Sequence, residues 1–221
     1  MITSANNTQV KNIIQLNQKA KARREQGLFV AEGRKMFREA PEEWISKVYV
    51  TESLIVLKKP VWTEEDILKG DSPLVMVLED LQDPGNAGTI FRTGEGAGVS
   101  GVFLTKTCVD ITNPKVIRST MGSIYRMPFL YVEDVVSLKT ELEQKGIRTF
   151  AAHLKGKNSY DQESYQGGTA FLIGNEGNGL TEEAAEAADC LIRIPMCGQV
   201  ESLNAAMAAG ILMYEAARQR R

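Results

Sequence analysis

Residues 74–93, LVMVLEDLQDPGNAGTIFRT, run from five consecutive apolar positions through a Pro-Gly turn into a helical pattern. An unbroken apolar run such as Leu74 to Leu78, without alternation, reads as a strand buried on both faces, the kind found in parallel sheets. Pro84 and Gly85 end the strand's approach, and Asn86 is placed to cap a helix over 86–97. The same unit recurs downstream. Strand-type runs lie at Gly101 to Leu104, Arg148 to Ala151, Ala170 to Ile173 and Leu191 to Ile194, and helical stretches at Val135 to Lys145, Glu182 to Ala188 and Leu203 to Arg218. Strands alternating with helices predict an α/β domain with a parallel sheet covered on both faces, spanning residues 73–221. Ligands of such sheets sit beyond the carboxyl ends of the strands, so the loops that follow strands are where chemistry is expected.

Upstream, Thr8 to Arg24 reads as one amphipathic helix with a basic face, Leu28 to Val30 and Val48 to Val50 as short strands, and Met36 to Ala40 as helical. This predicts a small α/β unit over residues 1–60, followed by a charged linker at 61–72, between Pro60 and the end of the Gly70 turn. Residues 1–40 hold eight Lys/Arg against three acids, a net +5 in a chain whose formal charge is −2, so the remainder carries −7. A basic arm on an acidic body fits a polyanion partner for the arm, although a solvated helix face would look the same. Cys108, Cys190 and Cys197 are far apart and share no cluster with the single histidine, His153. They predict buried bystander thiols, with neither a disulfide framework nor a metal site. No apolar run has the length of a signal peptide or membrane span, and the expectation is a cytoplasmic protein with no membrane association.

Three loops after strands stand out. In the first, Asp83 to Thr93, Arg92 offers a planar guanidinium to a phosphate or carboxylate; an isolated arginine otherwise belongs to a surface ion pair. The second, Ile173-Gly174-Asn175-Glu176-Gly177-Asn178-Gly179-Leu180, has three glycines in six positions but no Gly-Lys-Ser/Thr, so it is not a Walker loop. The third, Ile194 to Asn204, enters the closing helix, with Ser202 or a neighbour as its cap. Leu203, Met207, Gly210, Ile211 and Tyr214 form a stripe on that helix, expected to face the core. Gly94, Gly96 and Gly98 resemble a dinucleotide fingerprint only superficially. They fall at the end of a helix instead of at its start, and are expected to allow close packing and then to stop the helix at Gly98.

Together these loops resemble, in order and spacing, the three motifs of the SpoU (TrmH-like) branch of the SPOUT methyltransferases. The carriers are Asn86-x-Gly88-x-x-x-Arg92-Thr93, Ile173-Gly174-Asn175-Glu176-x-x-Gly179-Leu180 and Ile194-Pro195-Met196-x-Gly198-x-x-Glu201-Ser202-Leu203-Asn204. Asn113-Pro114-Lys115-Val116-Ile117-Arg118-x-x-x-Gly122 is similar to the family's substrate-side loop. The resemblance covers roughly residues 73–218. It implies a C-terminal trefoil knot, which general chain topology would make very rare, and a homodimer with an active site completed across the interface. It implies S-adenosylmethionine as cofactor, no metal, and transfer of its methyl to a ribose 2′-hydroxyl of RNA. Gly174, Ile194, Met196 and Leu203 would hold the cofactor; Arg92, Glu176, Ser202 and Asn204 would be catalytic; Asn86 and Arg118 would meet RNA. Since a guanidinium stays charged and is a poor base, Arg92 suits phosphate holding and alkoxide stabilisation better than proton abstraction.

The first 60 residues resemble the family's substrate-binding domain more loosely, through Thr3-Ser4-x-x-Asn7, Arg23-Arg24-Glu25 and Phe29-Val30-Ala31-Glu32-Gly33. That favours RNA as the partner of the basic arm, with Lys11, Arg23 and Arg24 neutralising phosphates, and rRNA ahead of tRNA as substrate. The sequence departs from the family at Gly94-Glu95-Gly96-Ala97, at Ala205-Ala206, and between Leu57 and Trp62, where a proline–glycine bridge is expected. Competing readings are the same reaction on tRNA, a non-catalytic RNA-binding member of the fold, and a small-molecule methyltransferase of Rossmann type. The misplaced glycines disfavour the last.

Overall fold

Hydrophobic alternation in the N-terminal unit places its small sheet between two layers. In the computed structural model, which describes residues 4, 6–49 and 54–221, this unit comprises α1 (Thr8–Gln18), α2 (Ala20–Gln26), β1 (Leu28–Glu32), α3 (Arg34–Glu39), β2 (Ile45–Tyr49) and β3 (Leu54–Lys58). Thr3 and Val50, used in the sequence reading, lie outside the described residues. The strands pair antiparallel in the order β1-β3-β2. The central strand, β3, was not anticipated, because a short apolar run such as Leu54 to Leu57 has no periodicity of its own. Val30 and Val56 pack under Leu16 of α1, whereas Phe29, Ala31, Ile55 and Leu57 point the other way, into the core of the larger unit.

The single helix expected over Thr8 to Arg24 is two helices, broken where Lys19 turns extended (φ −119°, ψ 113°). Residues 61–72, read as a linker, contain α4 (Glu64–Ile67), started by a reciprocal Thr63–Asp66 capping box. Ile67 is fully buried beneath the large sheet. Trp44 stands edge-on to Trp62 and Tyr125, at 6.0 and 5.8 Å between ring centroids.

The larger unit follows as β4 (Leu74–Leu78), α5 (Pro84–Ala97), β5 (Gly101–Thr105), α6 (Pro114–Thr120), β6 (Phe129–Val132), α7 (Val135–Gln144), β7 (Arg148–Ala152), β8 (Asn158–Ser159), β9 (Thr169–Ile173), α8 (Glu182–Ala187), β10 (Cys190–Arg193) and α9 (Ala205–Gln219). All pairings in its seven-stranded sheet are parallel, in the order β6-β5-β4-β9-β7-β10-β8. β4, β5 and β9 are buried along their whole length. Side chains of α5, α6 and α9 cover one face, together with the small sheet; those of α4, α7 and α8 cover the other.

Two helix starts differ from the sequence reading. α5 begins at Pro84, whose missing N–H costs nothing in a first turn, and Asp83 is its cap, accepting from the Asn86 N–H at 2.7 Å. Asn86 thus lies inside the helix and Arg92 in its third turn. α9 is capped by Asn204, not Ser202: its Oδ1 accepts from the Ala206 and Met207 N–H groups at 2.9 and 3.2 Å.

The expected core stripe of α9 faces outward. Met207 and Tyr214 are 60% and 48% exposed, and Leu203, Gly210 and Ile211 are half-buried. The inward face is Ala205, Ala206, Ala209, Leu212, Met213 and Ala216. α9 lies close against α5, where Gly94 is the small partner: a Cβ there would sit 3.4 Å from the Met213 sulfur. Gly98 ends α5 in a left-handed conformation (φ 81°), as its position predicted.

Of the cysteines, only Cys108 is a fully buried thiol, donating to the Leu78 carbonyl at 3.2 Å; Cys190 is half-buried and Cys197 is exposed. Among the described residues no helix is long and apolar enough to cross a membrane.

Candidate functional site

The carboxyl ends of β7, β9 and β10 meet at one cavity of about 600 Å³, where parallel α/β sheets place their ligands. Its walls are three post-strand loops and the entry to α9: Ala152 to Lys155, Ile173 to Gly179, Ile192 to Met196, and Glu201 to Leu203 with Ala205 and Ala208.

The 174–180 loop is closed on itself. Asn175 and Gly179 exchange two backbone hydrogen bonds of 2.9 Å. The Asn175 Oδ1 accepts from the N–H groups of Gly177 and Asn178, and its Nδ2 donates to the Asp80 carbonyl at 2.9 Å. This folding brings the backbone of Gly179 against Gly174, where a Cβ would lie 2.0 Å from the Gly179 carbonyl carbon. Gly174 is therefore required by contact, and Gly179 by its φ of 74°.

Glu176 lies on the cavity wall, but its carboxylate is turned onto the first loop. It accepts from the N–H of Gln82 (3.2 Å) and Asp83 (2.9 Å) and from the Asn86 Nδ2 (3.0 Å). Burial pushes the Glu176 carboxyl up, but the bonds from Asn86, Asp83, its own N–H and Gln82 outweigh it, and the group is held below its ordinary value. The Asn86 Oδ1 in turn accepts from the Asn204 Nδ2 at 2.9 Å. Glu176, Asn86 and Asn204 thus form one hydrogen-bonded chain joining the 174–180 loop, the first turn of α5 and the cap of α9, across sequence separations of 90 and 118 residues.

This arrangement sorts the residues singled out in the sequence. Gly174, Glu176, Ile194, Met196, Ser202 and Leu203 all line the cavity. Asn204 stands just behind it as helix cap and strut. Asn86, expected to meet RNA, is half-buried, and its carbonyl and its amide each make a hydrogen bond within the protein. Arg92 is exposed on α5, does not line the cavity of its own chain, and among the described residues has no carboxylate within ion-pair distance. Arg118 is exposed on α6, 3.8 Å from Glu32. Lys11 and Arg24 face solvent. Arg23 does not: it is 4% exposed and bound to Asp110, so its place in the phosphate-facing set is corrected. The reading missed the 152–155 wall, which carries His153 and Lys155. The rule that post-strand loops hold the chemistry pointed to it, but no glycine or motif marked it.

A family model described as the SpoU rRNA Methylase family matches residues 73–214, and one described as an MRM3-like substrate binding domain matches residues 7–82. An uncharacterised tRNA/rRNA methyltransferase of Synechocystis sp. is 40% identical over 146 residues, covering 66% of this chain and 53% of that protein. A 23S rRNA (guanosine-2′-O-)-methyltransferase of Xylella fastidiosa is 33% identical over 165 residues, covering 72% of this chain and 66% of its own. The chain thus spans between about half and two thirds of the length of these curated relatives. Among solved structures, an AdoMet-bound rRNA methyltransferase from Sinorhizobium meliloti superposes with a TM-score of 0.87 at 28% identity, covering 98% of this chain and 97% of that one.

Proposed function

The chain belongs to the SpoU rRNA methylase family, and from that premise we propose that it transfers the methyl group of S-adenosylmethionine to a ribose 2′-hydroxyl of RNA, with rRNA ahead of tRNA. The observation that carries this reading is the convergence of Gly174, Ile194, Met196 and Leu203 on one cavity. The residues present fit the cofactor. Apolar Ile173, Ile192, Ile194 and Leu203 suit the faces of an adenine, the tight 174–179 loop leaves backbone polar groups at the rim, and Glu201 supplies a carboxylate for a cationic ligand. When bound, the cofactor supplies an electrophilic methyl carbon on a positively charged sulfonium. Glu176 and Asn204 would hold the loops around it, and Ser202, exposed on the cavity wall, would face the target ribose.

Arg92 has a guanidinium with no carboxylate partner among the described residues and no cavity of its own to serve. A homodimer would bring it to the partner's cavity, where it would hold phosphate and stabilise developing alkoxide charge. The outward Met207, Ile211 and Tyr214 face of α9 supports pairing with a second copy. The strand order, with β9 between β4 and β7 and β10 beyond β7, supports a C-terminal segment threaded into the trefoil knot. Residues 1–60 would act as the substrate-binding unit, through Lys11 and Arg24, with Arg118 of the larger unit beside them. Relatives that include a 23S rRNA (guanosine-2′-O-)-methyltransferase support rRNA as the substrate.

The test is transfer of labelled methyl from S-adenosylmethionine to unmodified rRNA and, separately, to tRNA, followed by nucleoside analysis. A 2′-O-methylated nucleoside from the rRNA pool alone is expected. Label on a base, or none on either RNA despite cofactor binding, would overturn the reading.

A further inference from the structure

Arg23 is the one fully buried charged side chain among the described residues, and it lies in the segment whose other cations face water. Its Nε and Nη2 both reach the Asp110 Oδ2, at 2.9 and 2.8 Å. Its Nη1 donates to the Leu16 carbonyl at 2.7 Å and, more weakly, to that of Asn17 at 3.5 Å. These carbonyls belong to the last turn of α1, where the chain breaks at Lys19 and helix partners run out. One guanidinium thus caps α1, fastens it to α2 and crosses to the larger unit. Only a planar group with five donors can do all three; an ammonium cannot span them.

Asp110 occupies a turn that is itself fixed. Its Oδ1 accepts from the Thr112 N–H and Oγ1 (2.9 and 2.6 Å), and its carbonyl accepts from the Asn113 N–H at 2.8 Å. Asn113 then caps α6. α6 presents Lys115 and Arg118 to solvent, and Arg118 reaches Glu32, just before Gly33 and the exposed Arg34 of α3. Along the same seam, Glu39 and Glu95 are both engaged by Arg126, at 2.9 and 2.8 Å. Among the described residues Arg34 of the N-terminal unit and Lys115 of the larger one have no carboxylate within ion-pair distance, and the exposed Arg118 has only the long contact to Glu32. On α5, Gly88 packs against Ser119 of α6, and Arg92 stands one turn further along that face.

We propose that Arg23, through Asp110, is a positioning residue that locks the N-terminal unit against α6, so that Arg34, Lys115 and Arg118 form one phosphate-binding track leading toward Arg92. This rests on the RNA reading above. Because the track crosses two units, the separation of its cations is fixed only while the units keep one orientation. Affinity for RNA then depends on a side chain that never touches it.

The test measures RNA binding to an unmodified 23S rRNA transcript over a range of salt, with S-adenosylhomocysteine titrated separately. Arg23→Ala is expected to weaken RNA binding by roughly tenfold and to flatten its salt dependence, with cofactor-product affinity unchanged within about twofold. Arg23→Lys should recover only part of the loss. Arg34→Ala with Arg118→Ala removes the track and leaves the lock; adding Arg23→Ala to that pair should cost little more, because both act on one property. RNA affinity at the wild-type level in Arg23→Ala, or losses that simply multiply in the combined variant, would overturn the proposal. If Arg23→Ala does not fold, Asp110→Asn, which keeps the shape and removes the charge, is read against the same two outcomes. Absence of methyl transfer by the wild-type protein would sink the methylation reading but not these binding curves.

Discussion

The cavity loops and the N-terminal basic segment are each organised around one ion, and the two ions behave differently. At the cavity a carboxylate, Glu176, gathers donors from two backbone N–H groups and Asn86, and Asn86 passes the connection to Asn204. In the N-terminal segment a guanidinium, Arg23, gathers acceptors from the end of α1 and from Asp110. Both bridges span close to 90 residues of sequence. The first leaves a mark in the sequence because its members lie in or beside the three motif segments, whose glycines let the backbone approach a ligand. The second leaves none: Arg23 is one arginine among eight cations in the first 40 residues, and only its partner distinguishes it.

The largest effect should come from the residue that belongs to neither network. Arg92→Ala is expected to reduce methyl transfer by about a thousandfold, the scale of losing a transition-state charge donor, with cofactor binding within a few-fold. Parallel turnover and S-adenosylhomocysteine titrations check it, and wild-type turnover would break the assignment. Next is Gly174→Ala. Its methyl group would overlap the Gly179–Leu180 backbone, within 2.0 to 2.3 Å of three atoms. The loop must open at a cost of about 3 kcal/mol, and cofactor affinity should fall by two orders of magnitude or more, read by calorimetry alongside the melting temperature.

Glu176→Gln sharpens the comparison, since it keeps the shape and removes the ion. A stability loss of about 1–3 kcal/mol is expected, the scale of a hydrogen bond to a charged group or a buried donor left unpaired. It should also depend on pH. The carboxyl titrates below its ordinary 4.5 in the folded chain, so the folded state binds fewer protons than the unfolded one across that window. Its contribution is full above about pH 4.5 and is lost as pH falls through the folded value. Denaturation curves between pH 3 and 7 should show wild type losing its advantage over the variant at the acid end; a constant gap would mean that the ion is not the anchor. The smallest effect belongs to the exposed cations. Lys11→Ala with Arg24→Ala should leave stability within about 0.5 kcal/mol and weaken RNA binding only a few-fold, in contrast to Arg23→Ala.

The helix stripe shows where sequence reading stops. Apolar spacing placed α9 correctly and chose the wrong face, because Met207, Ile211 and Tyr214 look more core-like than Ala205, Ala206 and Ala209. Small residues are buried here because α9 needs close approach to α5, a demand set by the partner helix. The same limit explains β3 and α4. A four-residue apolar run and a four-residue helix have too little periodicity to announce themselves, and both owe their place to the surfaces they cover. At the helix starts, Asp83 and Asn86 are equally good caps in isolation, and Pro84 at the first helical position decides between them.

The sequence by itself determined the class of fold, the order of strand and helix through most of the larger unit, and the motif residues that meet at the cavity, although not its 152–155 wall. Those features are local: apolar runs, turn glycines and motifs at fixed spacing carry their own physics. Tertiary structure alone decided which polar side chains are spent holding the site and which remain free to act. Asn86 and Arg23 became struts while Arg92 stayed open, because whether a charge or an amide is satisfied depends on what the fold brings within about 3 Å of it, and for these residues that lies close to 90 or more positions away in the chain.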